Sequence, residues 1–354
     1  MATLDFYTSS YFDNSSVVPL SPSKYVAPTY VLVLSIASCC LSLIGIFCIF
    51  VFYVAIVTIR NYIRKLLIFL TIANLIHVLG IIIGIVRYML LEFTDKKYQK
   101  ETQVCLFQSV VVSFAPCSSF FWTVFIAIYF QVQVLRPSWA HKLSSKQATV
   151  TYHVVSWGVP GLTCILALFF KVFGNTEDIF TGPWCWIKTN QERKTAILWM
   201  ILTVKGWELL SYLVLAEVLV FVVYKTSILP RCLRRRGGQY LEIHDSSLQT
   251  STGLRRGDKN FVFIWLIFYV LRFAGTFRFL LHVTYGPLHK QMIITDRVML
   301  AWQAFGDTAQ AFANFICLCV FDRVIRQHYC SRLSRNYSNN DHVANNGGEQ
   351  GINT

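Results

Sequence analysis

The side chains able to do chemistry in this chain sit as isolated polar groups inside long apolar stretches. Lys205 and Glu208 stand three residues apart in one such stretch, where they can pair with each other or meet a ligand, Arg272 and Arg278 share another, and Asp307, Gln310 and Asn314 share the last. Charges in apolar surroundings are costly unless they are paired or face water, so they mark functional sites. Asn74 and His77 fall on one helical face at i and i+3. The imidazole suits a titratable switch, whereas Asn74 suits a hydrogen bond between helices. No His-Glu-x-x-His, no Gly-rich phosphate loop and no pair of metal-ligand cysteines in an aqueous segment occurs. The chain reads as neither an enzyme nor a binder of metal or cofactor. Its available chemistry is ion pairing, recognition of a charged group, and one disulfide.

The elements that must position these groups are membrane helices. A chain of 354 residues that is 55% hydrophobic and 14% charged, with mean hydropathy +0.49, lies far from soluble composition, in which about a quarter of residues are charged. Seven apolar stretches stand out, at 30–57, 66–91, 105–135, 148–173, 196–224, 261–283 and 298–321. Each can cross a ~30 Å hydrocarbon layer at 1.5 Å per residue. The expected fold is an all-α bundle of seven transmembrane helices. Residues 1–28 are polar, without a basic start and apolar core, so the first span itself directs insertion. The side holding Arg60 to Lys65, Arg136 to Lys146, Lys225 to Arg256 and the tail carries about twice the Lys and Arg of the other, which makes it cytoplasmic. The amino terminus is then outside, where Asn14-Ser15-Ser16 is a glycosylation acceptor.

That topology sorts the 11 cysteines. Seven lie inside spans, Cys232 and Cys330 are cytosolic, and only Cys105 and Cys185 remain on the oxidising side. A disulfide between them closes a loop of about 80 residues and pins Trp184-Cys185-Trp186 over the mouth of the bundle as an aromatic lid. Pro116 kinks the third span, with Ser113, Ser118 or Ser119 meeting the carbonyl it frees. Trp122 below it is a candidate pocket floor. In Val155-Ser156-Trp157-Gly158-Val159-Pro160 the proline breaks the helix ladder and the glycine admits another backbone.

Depth along each span assigns partners. Arg272 is about 16 Å from the inner end of its span and Asp307 about 14 Å from the outer end of its own, so both lie near the midplane and can pair. With Asn314 and His77 they are the switch candidates. Arg278, about 7 Å below the outer surface, is placed to meet an anion from outside. Together with Lys205 and Glu208, and with Trp122, Trp184 and Trp186, it makes a pocket for a small ligand bearing a negative group. On the inner face, Arg64, Lys65, Arg136 and Lys259 are exposed to a cytosolic partner. The loop 225–258, with Arg231-Cys232-Leu233-Arg234-Arg235-Arg236, clings to anionic lipid, a reading preferred to direct recognition of a partner, and because the cations sit beside membrane spans the basic total does not point to nucleic acid. Residues 322–335 form an amphipathic helix on which Cys330 can be palmitoylated, and 336–354 are a disordered tail.

Ser118-Ser119-Phe120-Phe121-Trp122-Thr123, His153 to Pro160, Trp184-Cys185-Trp186-Ile187, Leu198-Trp199-Met200 and Lys205-Gly206-Trp207-Glu208 together resemble the orphan G-protein-coupled receptor 157 family. That family is similar in turn to slime-mould cyclic-AMP receptors and more distantly to secretin-type receptors. The resemblance covers roughly Leu66 to Cys319. It implies a receptor that activates a heterotrimeric G protein, of Gq type with phosphoinositide and calcium signalling, in a plasma or ciliary membrane. The third span ends Phe130-Gln131-Val132-Gln133 and the seventh has Asn314-Phe315-Ile316, so the inner motifs of rhodopsin-like receptors are missing. A light-driven pump would need a Schiff-base lysine in the last span, which has none. The alternative is a seven-span transporter, against which the lack of an internal repeat counts.

Overall fold

The computed structural model describes residues 28–93, 103–174, 184–188, 192–224, 261–285, 293–322 and 325–327. Asn14, Lys259, Cys330, the loop 225–258 and the tail 336–354 lie outside them, as does most of the segment 322–335. Among the described residues, seven long helices form one bundle. The first four are Thr29–Ala55, Tyr62–Phe93, Gln103–Leu135 and Lys146–Phe169. The fifth joins Arg193–Met200 to Gly206–Val223, the sixth is Phe261–Tyr285, and the seventh runs Ile293–Phe315 and continues through a π turn to Val320. Five of them are long and apolar enough to cross a membrane on length and composition. A short helix, Pro137–Leu143, joins the third and fourth.

The third helix is the axis. Of its residues Cys105, Gln108, Ser113, Phe120, Trp122, Thr123 and Phe130 are all buried, because polar and apolar positions alike meet neighbouring helices and not lipid. The first and seventh helices lock through a ladder of hydroxyls. Ser35 Oγ donates to the carbonyl of Ala304 at 3.2 Å, Ser38 to that of Phe305 at 2.6 Å, and Ser42 to that of Thr308. Serines three and four residues apart share one face of a helix, and Gly45 continues the stripe; a Cβ there would lie 2.8 Å from Phe312 Cα. Small side chains let helix backbones approach, which is how helices associate where lipid supplies no hydrophobic drive.

Two expectations about the fourth helix change. Gly158 admits no neighbour: a Cβ built there meets nothing within 4 Å. The carbonyls that Pro160 cannot serve are absorbed instead by a π turn over Val154–Gly158. The helix also ends at Phe169, before the expected 173, in a left-handed cap. Lys171 has φ 55°, Val172 N–H donates to Ala167 O at 3.1 Å, and Lys171 N–H to Leu168 O at 3.0 Å, the two bonds of a Schellman turn. The chain is thereby turned so that Phe173–Gly174 pairs antiparallel with Trp186–Ile187. Near Pro116 the serines bond elsewhere than expected: Ser118 to Phe114 O, Ser119 to Pro116 O, and Ser113 to the lid.

Candidate functional site

The lid is fixed to the second and third helices at four points. A disulfide joins Cys105 to Cys185, with Cα atoms 5.5 Å apart. Gln108 Oε1 accepts the Cys185 N–H at 3.1 Å, and Trp186 Nε1–H donates to Ser113 Oγ at 3.1 Å. Arg87 of the second helix, buried, reaches Cys185 Sγ at 2.9 Å. Arg87 and Gln108 were not singled out from sequence. Each is a lone polar residue one to two turns from a span end, and that depth is the signal that could have found them.

Beneath the lid is a cavity of about 60 Å³. Trp184 and Trp186 roof it, Ile81, Val112, Pro116 and Val204 give apolar wall, and His77, Lys205, Arg272, Gln303 and Asp307 give the polar wall. Of the expected pocket residues, Lys205, Trp184 and Trp186 line it. Glu208 does not; it is fully buried, accepting from Lys205 Nζ at 2.7 Å, so the pairing of the two with each other is the alternative that forms. A π turn over Ile201–Lys205 precedes it, and a Cβ at Gly206 would lie 2.7 Å from Ile201 O, so this bulge requires glycine. Tyr212 Oη extends the cluster, donating to Glu208 Oε1 at 3.3 Å and lying 3.2 Å from Thr276 Oγ1 of the sixth helix.

Trp122 is no pocket floor. It is fully buried among Phe69, His153 and Trp157, at centroid distances of 5.0, 5.0 and 6.0 Å, away from the cavity, since its large ring is better spent filling the core between helices. Arg278 is likewise not offered to an external anion. Its Nε donates to Asp296 Oδ1 at 2.7 Å and its Nη1 to Gln303 Oε1 at 2.7 Å. The seventh helix begins at Ile293, one turn before the expected 298, and that turn carries Asp296.

Arg272 and Asp307 do meet: Nη1 lies 3.4 Å from Oδ1. Gln303 Nε2 also donates to Asp307 Oδ2 at 3.2 Å. A continuous chain therefore runs Asp296, Arg278, Gln303, Asp307, Arg272 from the outer end of the sixth and seventh helices to the middle of the bundle. His77 lines the cavity with Arg272. Asn314 is fully buried, with neither amide atom hydrogen-bonded, and Asn74 Nδ2 also makes no hydrogen bond, so the expected interhelical bond from that donor is not formed.

At the inner face Arg64 is not exposed. It is buried in an ion pair with Asp322, tying the start of the second helix to the end of the seventh, because a guanidinium beside an apolar helix end loses less by pairing than by desolvation alone. Lys65 and Arg136 are exposed. The Arg136 guanidinium stands 5.8 Å, and Lys142 Nζ 4.8 Å, from the ring centre of Trp139.

Seven helices, a disulfide from the third to a lid, and a polar cavity beneath it define a seven-transmembrane receptor. The model of the 7 transmembrane receptor (Secretin family) matches residues 27–235. G-protein coupled receptor 157 of Mus musculus is 31% identical over 269 residues, covering 75% of this chain and 74% of that protein. G-protein coupled receptor 157 of Homo sapiens is 32% identical over 272 residues, with 75% and 73% covered. G-protein coupled receptor 1 of Arabidopsis thaliana is 29% identical over 91 residues, 26% of this chain and 25% of that protein. The chain belongs to the secretin-type family of seven-transmembrane, G-protein-coupled receptors, membrane proteins and not enzymes.

Proposed function

We propose that this receptor takes a small extracellular ligand with a negative group into the cavity under the Trp184-Cys185-Trp186 lid and passes the signal to a heterotrimeric G protein of Gq type, raising phosphoinositide and calcium signalling. The observation that carries the reading is the polar chain from the cavity wall through Asp307 and Gln303 to Arg278 and Asp296. A ligand that moves Arg272 perturbs the contact between the sixth and seventh helices, and a buried pair broken on one side costs about 3 to 5 kcal/mol, enough to shift a two-state equilibrium.

The amino terminus is outside, carrying a glycan on Asn14, and Lys65, Arg136 and Lys259 face the G protein. His77, Arg272, Asp307 and Asn314 form the switch. A ciliary membrane is the site that the resemblance implies, and Cys330 is palmitoylated. A panel of chimeric G proteins, read for nucleotide exchange without added agonist, tests the reading: exchange through the Gq chimera is expected. Substrate flux into liposomes with no exchange on any G protein would establish the transporter alternative.

A further inference from the structure

Glu217 is a charged residue that the rest of the bundle leaves unused. It stands in the inner half of the fifth helix, seven residues before Tyr224 and so about 10 Å inside the cytoplasmic end of the span. Its side chain is exposed and makes no hydrogen bond or ion pair among the described residues. The other charges set deep in the spans, from Arg87 and Lys205 to Arg272 and Arg278, are buried within the bundle. Buried Ser211, Leu215, Val218 and Val222 turn one side of the fifth helix toward the third. Glu217 lies on the opposite side, in the middle of an exposed row formed with Leu210, Leu213, Val220 and Tyr224. These five residues alternate in steps of three and four, the spacing of a left-handed seam between two packed helices. Hydrocarbon offers a carboxyl neither water nor a hydrogen-bond partner, so a polar group at that depth belongs against protein.

We infer that this row is the contact between two copies of the chain, paired in parallel along their fifth helices. Copies inserted the same way are related by a two-fold axis along the membrane normal, which sets each residue opposite its own equivalent at equal depth. Glu217 then meets Glu217, and the two carboxyls pair, each donating its O–H to the other's carbonyl oxygen. The exposed cations Lys65, Arg136 and Lys146 lie at the cytoplasmic ends of their helices, below that depth, so within a pair of identical chains acid on acid is the match available. One polar residue centred in an apolar seam fixes the register of the two helices as well as holding them together. The inference uses neither the cavity nor the G protein, and stands apart from the proposed function.

The test is energy transfer between donor-labelled and acceptor-labelled full-length chains, purified and reconstituted in phosphatidylcholine vesicles over a range of protein-to-lipid ratios. The native chain is expected to give saturable transfer that unlabelled chain competes away. Glu217→Leu is expected to weaken association by about tenfold, whereas Glu217→Gln, which keeps a donor and an acceptor, stays within about threefold of native. Glu217→Lys is expected to fail to pair with itself but to pair with the native chain at least as well as native pairs with native, since only that mixture sets opposite charges across the axis. Because Glu217 makes no polar contact within its own chain, the melting temperature of each variant at high lipid dilution is expected to match the parent, which separates lost pairing from lost folding. No saturable transfer by the native chain, equal association by Glu217→Leu, or no pairing of Glu217→Lys with native chain overturns the inference. Association that appears only when a single-span peptide with a lysine at matching depth is added would also overturn it, and would give this face to a different membrane protein.

Discussion

Arg278 and Asp296 are partners across the outer ends of the sixth and seventh helices, with Nε 2.7 Å from Oδ1 and side chains 1% and 8% exposed. A charge so enclosed cannot be left alone. Arg278→Ala or Asp296→Ala is expected to cost about 3 to 5 kcal/mol, whereas Arg278→Met with Asp296→Leu, which removes both charges, is expected to recover most of it. Thermal denaturation of the three purified variants checks this, and single variants within about 0.5 kcal/mol of the parent would show that the pair does not hold the helices.

The Arg272 to Asp307 contact, at 3.4 Å with Asp307 17% exposed, is longer than a strong charge-assisted hydrogen bond of about 2.7 to 2.9 Å. Its coupling energy should therefore be smaller, about 1 to 3 kcal/mol in a double-mutant cycle of Arg272→Gln and Asp307→Asn. Basal nucleotide exchange is expected to change in both single variants and in the same direction. Unchanged exchange with normal expression would remove this pair from the switch.

Gly45 and Gly158 give opposite expectations for one substitution. Gly45→Ala forces Cβ toward Phe312 Cα, 2.8 Å away, so the first and seventh helices must separate. Overpacking of this kind costs about 1 to 3 kcal/mol. Gly158→Ala meets nothing within 4 Å and should be neutral or mildly stabilising, by up to about 1 kcal/mol. Melting temperatures that fall equally for both would contradict the packing described for the first helix.

Reducing the Cys105 to Cys185 bond, or Cys105→Ser with Cys185→Ser, releases a loop of 80 residues. A loss of about 2 to 5 kcal/mol is expected, together with protease cleavage at the lid while the seven helices remain intact. An unchanged melting temperature under reductant would mean that Gln108, Ser113, Arg87 and the pairing of Phe173–Gly174 with Trp186–Ile187 hold the lid without the bond.

The spans could be read from sequence because hydropathy alone marks them, and the disulfide because topology leaves two cysteines on one side. Depth arithmetic also brought Arg272 to Asp307, since helical rise converts residue number into height. It failed for Arg278 because Asp296 and Arg297 made the first turn of the seventh helix look like loop; the partner was hidden in a segment that hydropathy assigns to water. Trp122 was misplaced because hydropathy carries no information on which way a ring points. The hydroxyl ladder was missed for another reason. Ser35, Ser38 and Ser42 are small and common in apolar helices, and what distinguishes them is acceptance by backbone carbonyls more than 260 residues away, which no local pattern reveals.

That ladder bears on how the protein is made. The first helix leaves the ribosome with three hydroxyls whose acceptors in the finished fold belong to the last helix, so until the seventh helix arrives they can turn only to carbonyls of their own helix. Assembly ends as the closing of a ring, and a chain truncated before residue 304 would leave that face of its first helix without the backbone it is shaped to meet.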